Sequence, residues 1–151
     1  MKLKVTGCDT SVEHTKKHIE DKPEGSKEYT FIHFLSPAIV KSGGELVEAD
    51  TGACLVYSPG HPQHYAGRGK RWSNDWATFT GASAEKLVHE AKVPINRVFY
   101  PSRTHFVASL LEKIKYERSK RENQWDNVAT MALKEVFIKL ARFSKEDAAS
   151  F

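Results

Sequence analysis

The sequence predicts a mainly β fold, an antiparallel barrel or sandwich, followed by helices at the C-terminal end. Three observations carry this. Short apolar runs recur between Tyr29 and Gly81, separated by glycine and proline turns with no helical stretch between them. From Trp72 to Phe79 the side chains alternate with period two, as a strand requires. After Gly81 the apolar spacing becomes that of helices.

Taken in order, residues 1–28 read as an arm: one short strand, Leu3 to Thr6, then polar sequence through Lys22-Pro23-Glu24-Gly25-Ser26. His14 and His18 have a helical metal-ligand spacing, but Pro23 and Gly25 cut any helix short and no third ligand is near. They read as surface histidines. Tyr29 to Val40 is strand material, with Tyr29, Phe31, His33 and Leu35 on one face and Thr30, Ile32 and Phe34 on the other. Both faces are apolar, so both should be covered. His33 is the titratable group on its face, either satisfied in the core or free to bind a ligand.

Ser42-Gly43-Gly44 is a hairpin turn, Glu45 to Ala49 returns, and Thr51-Gly52 leads into the buried strand Cys54-Leu55-Val56-Tyr57. Ser58-Pro59-Gly60 breaks that run, His61 to Tyr65 resumes it, and Ala66 to Lys70 is an exposed connection. The strand from Trp72 to Phe79 then sets Trp72, Asn74, Trp76 and Thr78 on one face, and Ser73, Asp75, Ala77 and Phe79 on the other. Indoles flanking an amide suit a small polyhydroxylated ligand, because aromatic faces cover its C–H surface while the amide binds hydroxyls. The competing reading makes the tryptophans ordinary core.

Ser83 suits the cap of a short helix, Ala84 to Ala91, which Val93-Pro94 ends, and Arg97 to Tyr100 reads as a last short strand. The first long helix, about Arg103 to Ser119, carries a stripe of Phe106, Val107, Leu110, Leu111 and Ile114. The second, about Asp126 to Phe143, carries Ala129, Leu133, Val136, Phe137, Leu140 and Phe143. Its far side also shows Met131 and Ile138, seven apart: the seam of a dimer, or a patch covered by a neighbouring loop. Ser144 to Phe151 is polar and expected to fray. The chain thus divides into an arm (1–28), a β-domain with its short helix (29–101) and a two-helix hairpin (102–143).

At 151 residues, 40% hydrophobic and 28% charged, the chain has the composition of one globular domain. No apolar run approaches a membrane span, and the opening MKLKVTGCDTSVEH has no signal-peptide core. Cys8 and Cys54 are too few for a disulfide framework, so free thiols in the cytoplasm are expected. The net charge of +4 is spread over Lys16-Lys17, Arg68-Gly69-Lys70-Arg71 and Lys113 to Arg121, the last interleaved with glutamates. These read as solvated faces, and no nucleic-acid-binding signature accompanies them. Neither cysteine has a helix-start context, there is no P-loop or dinucleotide fingerprint, and Asp75 and Glu48 read as exposed strand residues. A metal-dependent enzyme would need His33, His61 and His64 to converge, which only a coincidence of folding would bring about.

The order of elements, together with Tyr29-Thr30-Phe31-Ile32, Cys54 to Pro59, Pro62-Gln63-His64-Tyr65 and the run W-x-N-x-W-x-x-F-x-G from Trp72 to Gly81, resembles the N-terminal sensing domain of AraC-family transcription regulators. The similarity spans about Cys8 to Phe143. The resemblance implies a cupin barrel (a double-stranded β-helix) that binds a small effector, often a sugar, and a helical hairpin that dimerises through residues such as Met131 and Ile138. It implies no catalysis and no cofactor. DNA binding would belong to a C-terminal helix-turn-helix domain, expected to be missing where this chain stops. Tyr65 and Trp76 fall where the family's arabinose-sensing member has its pocket tyrosine and tryptophan. Asn74 falls on its pocket histidine and Leu35 on its pocket arginine, so a hydrogen-bond donor is lost there. His33, one strand repeat from Leu35, is expected to supply polarity instead, with Trp72 as a second stacking surface. The effector is therefore left open within the polar, sugar-like class.

Overall fold

The computed structural model describes the backbone of residues 3–149 and the side chains of residues 3–144. Eight strands come first: β1 (Lys4–Thr15), β2 (Ile19–Lys22), β3 (Tyr29–Phe34), β4 (Ala38–Ser42), β5 (Glu45–Ala49), β6 (Cys54–Tyr57), β7 (Gln63–Gly67) and β8 (Arg71–Thr80). Three helices follow: α1 (Ala84–Ala91), α2 (Phe106–Lys120) and α3 (Trp125–Ala149). The strands form two four-stranded antiparallel sheets, ordered β1-β8-β3-β6 and β2-β7-β4-β5. Each sheet draws strands from both ends of the β region, which is the jelly-roll solution that cupins share. The expected barrel is thus two facing sheets.

The first sheet is covered on both sides. On its outer face Val5, Phe31, Val56, Ala77 and Phe79 join Val107, Leu111, Leu133 and Phe137 of the long helices in one core. On its inner face Ile32, Phe34, Leu55, Tyr57 and Trp72 meet Val40 and Tyr65 of the second sheet. Tyr57 ties the sheets together, since its hydroxyl donates to the Lys41 carbonyl at 2.8 Å. The single strand expected from Tyr29 to Val40 is split. Proline cannot donate to a ladder, so Ser36-Pro37 ends β3 and passes the chain to the other sheet as β4.

Residues 4–22 are no loose arm. β1 pairs with β8 as far as Thr15, and β2 pairs with β7. An edge strand needs little apolar sequence, and bulges between Val5 and Gly7 and between Asp9 and Val12 break the alternation that would have announced it. This segment is a wall of the β-domain.

The helical stripes pack as their spacing predicts. Phe106, Val107, Leu110, Leu111 and Ile114 of α2 are buried, as are Ala129, Leu133, Val136, Phe137, Leu140 and Phe143 of α3. Met131 and Ile138 stand 68% and 58% exposed on the far side of α3, with no loop of the described residues over them. α3 runs to Ala149, past the fraying expected at Ser144. Ser83 makes no side-chain cap, and of Arg97 to Tyr100 only Phe99 bridges to Cys54. Among the described residues no helix is long and apolar enough to cross a membrane.

Gly67 closes β7 directly against Trp72: a Cβ there would collide with the Trp72 methylene and with Cγ and Cδ1 of its indole. Gly67→Ala should therefore cost about 1–3 kcal/mol, the usual penalty of overpacking a core. Urea denaturation should show a lower midpoint with an unchanged far-UV spectrum, and an unmoved midpoint would contradict this packing.

Candidate functional site

Strand register assembles the site. The inner face of β8 carries Trp72, Asn74, Trp76 and Thr78, which pair with His14, Val12, Asp9 and Gly7 of β1. On the other side Asn74, Trp76 and Thr78 pair with Phe34, Ile32 and Thr30 of β3. The second sheet adds Tyr65 of β7, with Glu20 and Lys22 of β2. Together these strands enclose a cleft of about 340 Å3, within the size range of small-molecule sites.

Each wall has a physical reason. Trp76 lies against Gly7, where a Cβ would come within 3.1 Å of the indole, so the glycine makes room for the ring. Asn74 is buried and its Oδ1 sits 3.1 Å from His14 Nε2, which leaves the amide NH2 as the group it can offer a ligand. Burial pushes the Tyr65 phenol well above its ordinary range, with Glu20 adding to the effect, so it stays a neutral hydroxyl. Thr30 Oγ1 accepts from Gln63 Nε2 at 3.2 Å, while Gln63 Oε1 is buried without a partner behind the cleft.

Asp9 and Glu20 are the cleft's carboxylates. Lys115 of α2, 2.8 Å away, holds the Asp9 carboxyl below the usual carboxylate range, and Glu20 lies 2.9 Å from His18. The outer side of β1 is fastened to the same helix. Arg118 donates to the Thr6 carbonyl at 2.8 Å, Cys8 Sγ donates to the Leu111 carbonyl at 3.7 Å, and Thr10 bonds Glu112.

Of the residues expected from the sequence, Tyr65, Asn74 and Trp76 meet in this cleft. Trp72 shares their face but is packed beneath them, edge-on to Tyr65 and under the His14 ring, with its Nε1 unpartnered. His33 is not at the site. It is in register with Cys54 and Asp75, so the alternation that turns Thr30 inward turns His33 toward the helices. Leu35 lies past the end of β3, half-buried and off the cleft. The sequence reading missed Asp9, Val12, His14, Glu20 and Lys22, all on strands taken for an arm; the alternation Val12-Glu13-His14 was the one local sign of them.

Asp75 is no exposed strand residue. Fully buried, it accepts the Ser11 N–H at 2.8 Å on Oδ1 and faces His33 Nδ1 at 3.0 Å on Oδ2. Burial raises both thiols, Cys8 to about 11 and Cys54 further, so neither is an activated nucleophile. The three histidines of a possible metal centre keep separate company. His33 is bound to Asp75, His61 stacks on Tyr57 and bonds the Pro62 carbonyl, and His64 faces Asp21. Among the described residues no three His, Cys, Asp or Glu side chains converge as a metal site requires.

No protein-family model matches the chain, and no curated protein matches it. Several solved structures are similar to it. One is the AraC-like transcriptional activator CuxR, at 13% identity and TM-score 0.44 over 95% of this chain and 50% of that one. Another is an HTH_3 family transcriptional regulator from Vibrio cholerae, at 16% identity and TM-score 0.39 over 51% and 50%. A third is the cupin domain of an XRE family transcriptional regulator from Enterobacter cloacae, at 13% identity and TM-score 0.38 over 51% and 92%. The match spans about half the length of the first two proteins.

The Asp9–Lys115 pair gives a pH signature. A carboxyl whose folded pKa is depressed contributes stability above its unfolded pKa and loses it as pH falls through the folded value. Lys115→Met should lower the urea midpoint at pH 7 by an amount worth under about 1 kcal/mol, since the pair is partly exposed. The gap between the two proteins should shrink between about pH 5 and pH 3. A gap that stays constant over that range would mean that the pair contributes nothing.

Proposed function

We propose that this chain is the effector-sensing domain of an AraC-type transcription regulator: a non-catalytic, cytoplasmic module that holds a small polar ligand, a sugar or sugar acid, in the cleft. The observation that carries the reading is the convergence of an indole (Trp76), a phenol (Tyr65) and an amide (Asn74) on one cleft of about 340 Å3. Stacking on Trp76 would cover the C–H face of a pyranose. Asn74, Tyr65 and the two threonines would hydrogen-bond its hydroxyls.

The route to the helices is β1. Its inner residues Asp9 and Val12 line the cleft, while Thr6, Cys8, Asp9 and Thr10 hold α2. A ligand that engages Asp9 competes with Lys115, so occupancy would change how α2 sits on the sheet. α2 packs on α3, whose exposed Met131 and Ile138 would form the seam with a second copy. DNA binding would come from a helix-turn-helix domain on the same polypeptide.

A thermal-shift screen against neutral monosaccharides and their uronic acids tests the effector. A ligand present at 100 times its Kd adds about 2.7 kcal/mol, enough to raise the Tm of a chain this size by about 5 °C or more. Trp76→Ala should weaken binding about tenfold, a loss in the range of one stacking contact, and so roughly halve the shift at the same ligand concentration. No shift with any compound of the panel would defeat the sugar reading. Sedimentation tests the seam: the wild type should be dimeric and Ile138→Asp monomeric, and a dimer that persists in the variant would move the interface elsewhere.

A further inference from the structure

Two basic clusters lie some fifty residues apart in sequence, Lys16-Lys17 and Arg68-Gly69-Lys70-Arg71, and the fold brings them to one end of the β-domain. Lys16 and Lys17 form the turn from β1 to β2, and residues 68–70 the turn from β7 to β8. The two turns are neighbours because Thr15 pairs with Arg71 across one sheet and Ile19 with Ala66 across the other. Between the β7–β8 turn and the β3–β4 connection is an open notch of about 280 Å3 lined by Ser36, Pro37, Arg68, Gly69 and Arg71.

The counter-charges here are loose. Arg68 lies 3.5 Å from Glu48 and 3.8 Å from Asp50, and Arg71 lies 3.9 Å from Glu13. All three distances exceed the 2.7–2.9 Å or so of a charge-assisted hydrogen bond, and all three carboxylates are exposed. Lys16, Lys17 and Lys70 are exposed and take part in no ion pair among the described residues. We propose that this end of the domain is a docking surface for the phosphate backbone of double-stranded nucleic acid. The arginine forks and the notch match a phosphate, and the cations are spread over adjacent turn tips rather than focused on one point, as a charged lattice requires. No helix or ribbon is presented for a groove, so the contact would be independent of base sequence. The notch shares no lining residue with the cleft, and the proposal does not depend on the effector reading.

Fluorescence anisotropy with a labelled 20-base-pair duplex tests this. Binding should weaken steeply with salt, with a log–log slope of roughly −3 for three or four phosphates neutralised. The triple variant Lys16→Ala, Lys17→Ala, Lys70→Ala should bind about tenfold or more weakly at 50 mM salt, and its slope should become shallower by up to about one for each lysine that meets a phosphate, the two arginines keeping the rest. Its melting temperature should match the wild type, as exposed turn positions allow. Lys113→Ala with Lys120→Ala, on α2, should bind like the wild type. No binding at low salt, or an equal loss in the α2 variant, would overturn the assignment. So would displacement of the duplex by low-millimolar inorganic phosphate at constant ionic strength, which would mark a single-phosphate notch.

Discussion

Asp75 sits on the helix-facing side of β8 with no exposure to solvent, and one of its oxygens holds the backbone N–H of Ser11 while the other meets His33. Three strands are thereby fastened at one carboxylate. Removing one partner so that a buried polar group is left unsatisfied typically costs about 1–3 kcal/mol. What it holds is specific. Ser11 has φ of 48°, a left-handed conformation that a non-glycine residue keeps only when its surroundings enforce it. That bulge turns both Asp9 and Val12 to the inner face although they are three residues apart. The composition of the cleft wall thus depends on a carboxylate on the opposite side of the sheet.

The rest of the architecture follows from covering one sheet on both faces. Along β3 and β8, odd and even positions have different fates: Phe31, Ala77 and Phe79 meet helices and His33 and Asp75 on the same face meet each other, while Thr30, Ile32, Asn74 and Trp76 meet the second sheet or the cleft. A shift of one residue in either strand would exchange the two sets, so register and site are one property. The glycines at 7 and 67 serve the same division, each leaving the space that an inward indole occupies.

How much of this could be read from the residues depends on which strands are asked about. Central strands and helices announce themselves, since Phe31, Ile32 and Phe34 supply apolar bulk to both faces of β3 and α2 and α3 must each seat a stripe. The meeting of Tyr65, Asn74 and Trp76 was legible for the same reason. β1 and β2 were not, because an edge strand with two bulges carries neither alternation nor bulk, and their five cleft residues went with them. His33 misled through chemistry. Its polarity suggested a ligand contact, but its partner, Asp75, is forty-two positions away and was itself read as exposed. A buried polar pair is invisible until both members are placed, because each alone looks like an error of burial.

The double duty of β1 sets a limit on what the cleft can transmit. A partly exposed pair such as Asp9–Lys115 is worth under about 1 kcal/mol, so breaking it alone shifts an equilibrium by no more than about fivefold. Coupling between sites usually amounts to about 1–3 kcal/mol. A ligand that moved only the Asp9 side chain would therefore make a weak switch. The contacts of Thr6, Cys8 and Thr10 with α2 lie within four residues of Asp9 on the same strand. A displacement of the strand itself would disturb all of them together and reach that range. Such a displacement is resisted by the ladder to β8 and at Ser11, where Asp75 holds the bulge, so the carboxylate that shapes the cleft also bears on how readily its occupancy is felt by the helices.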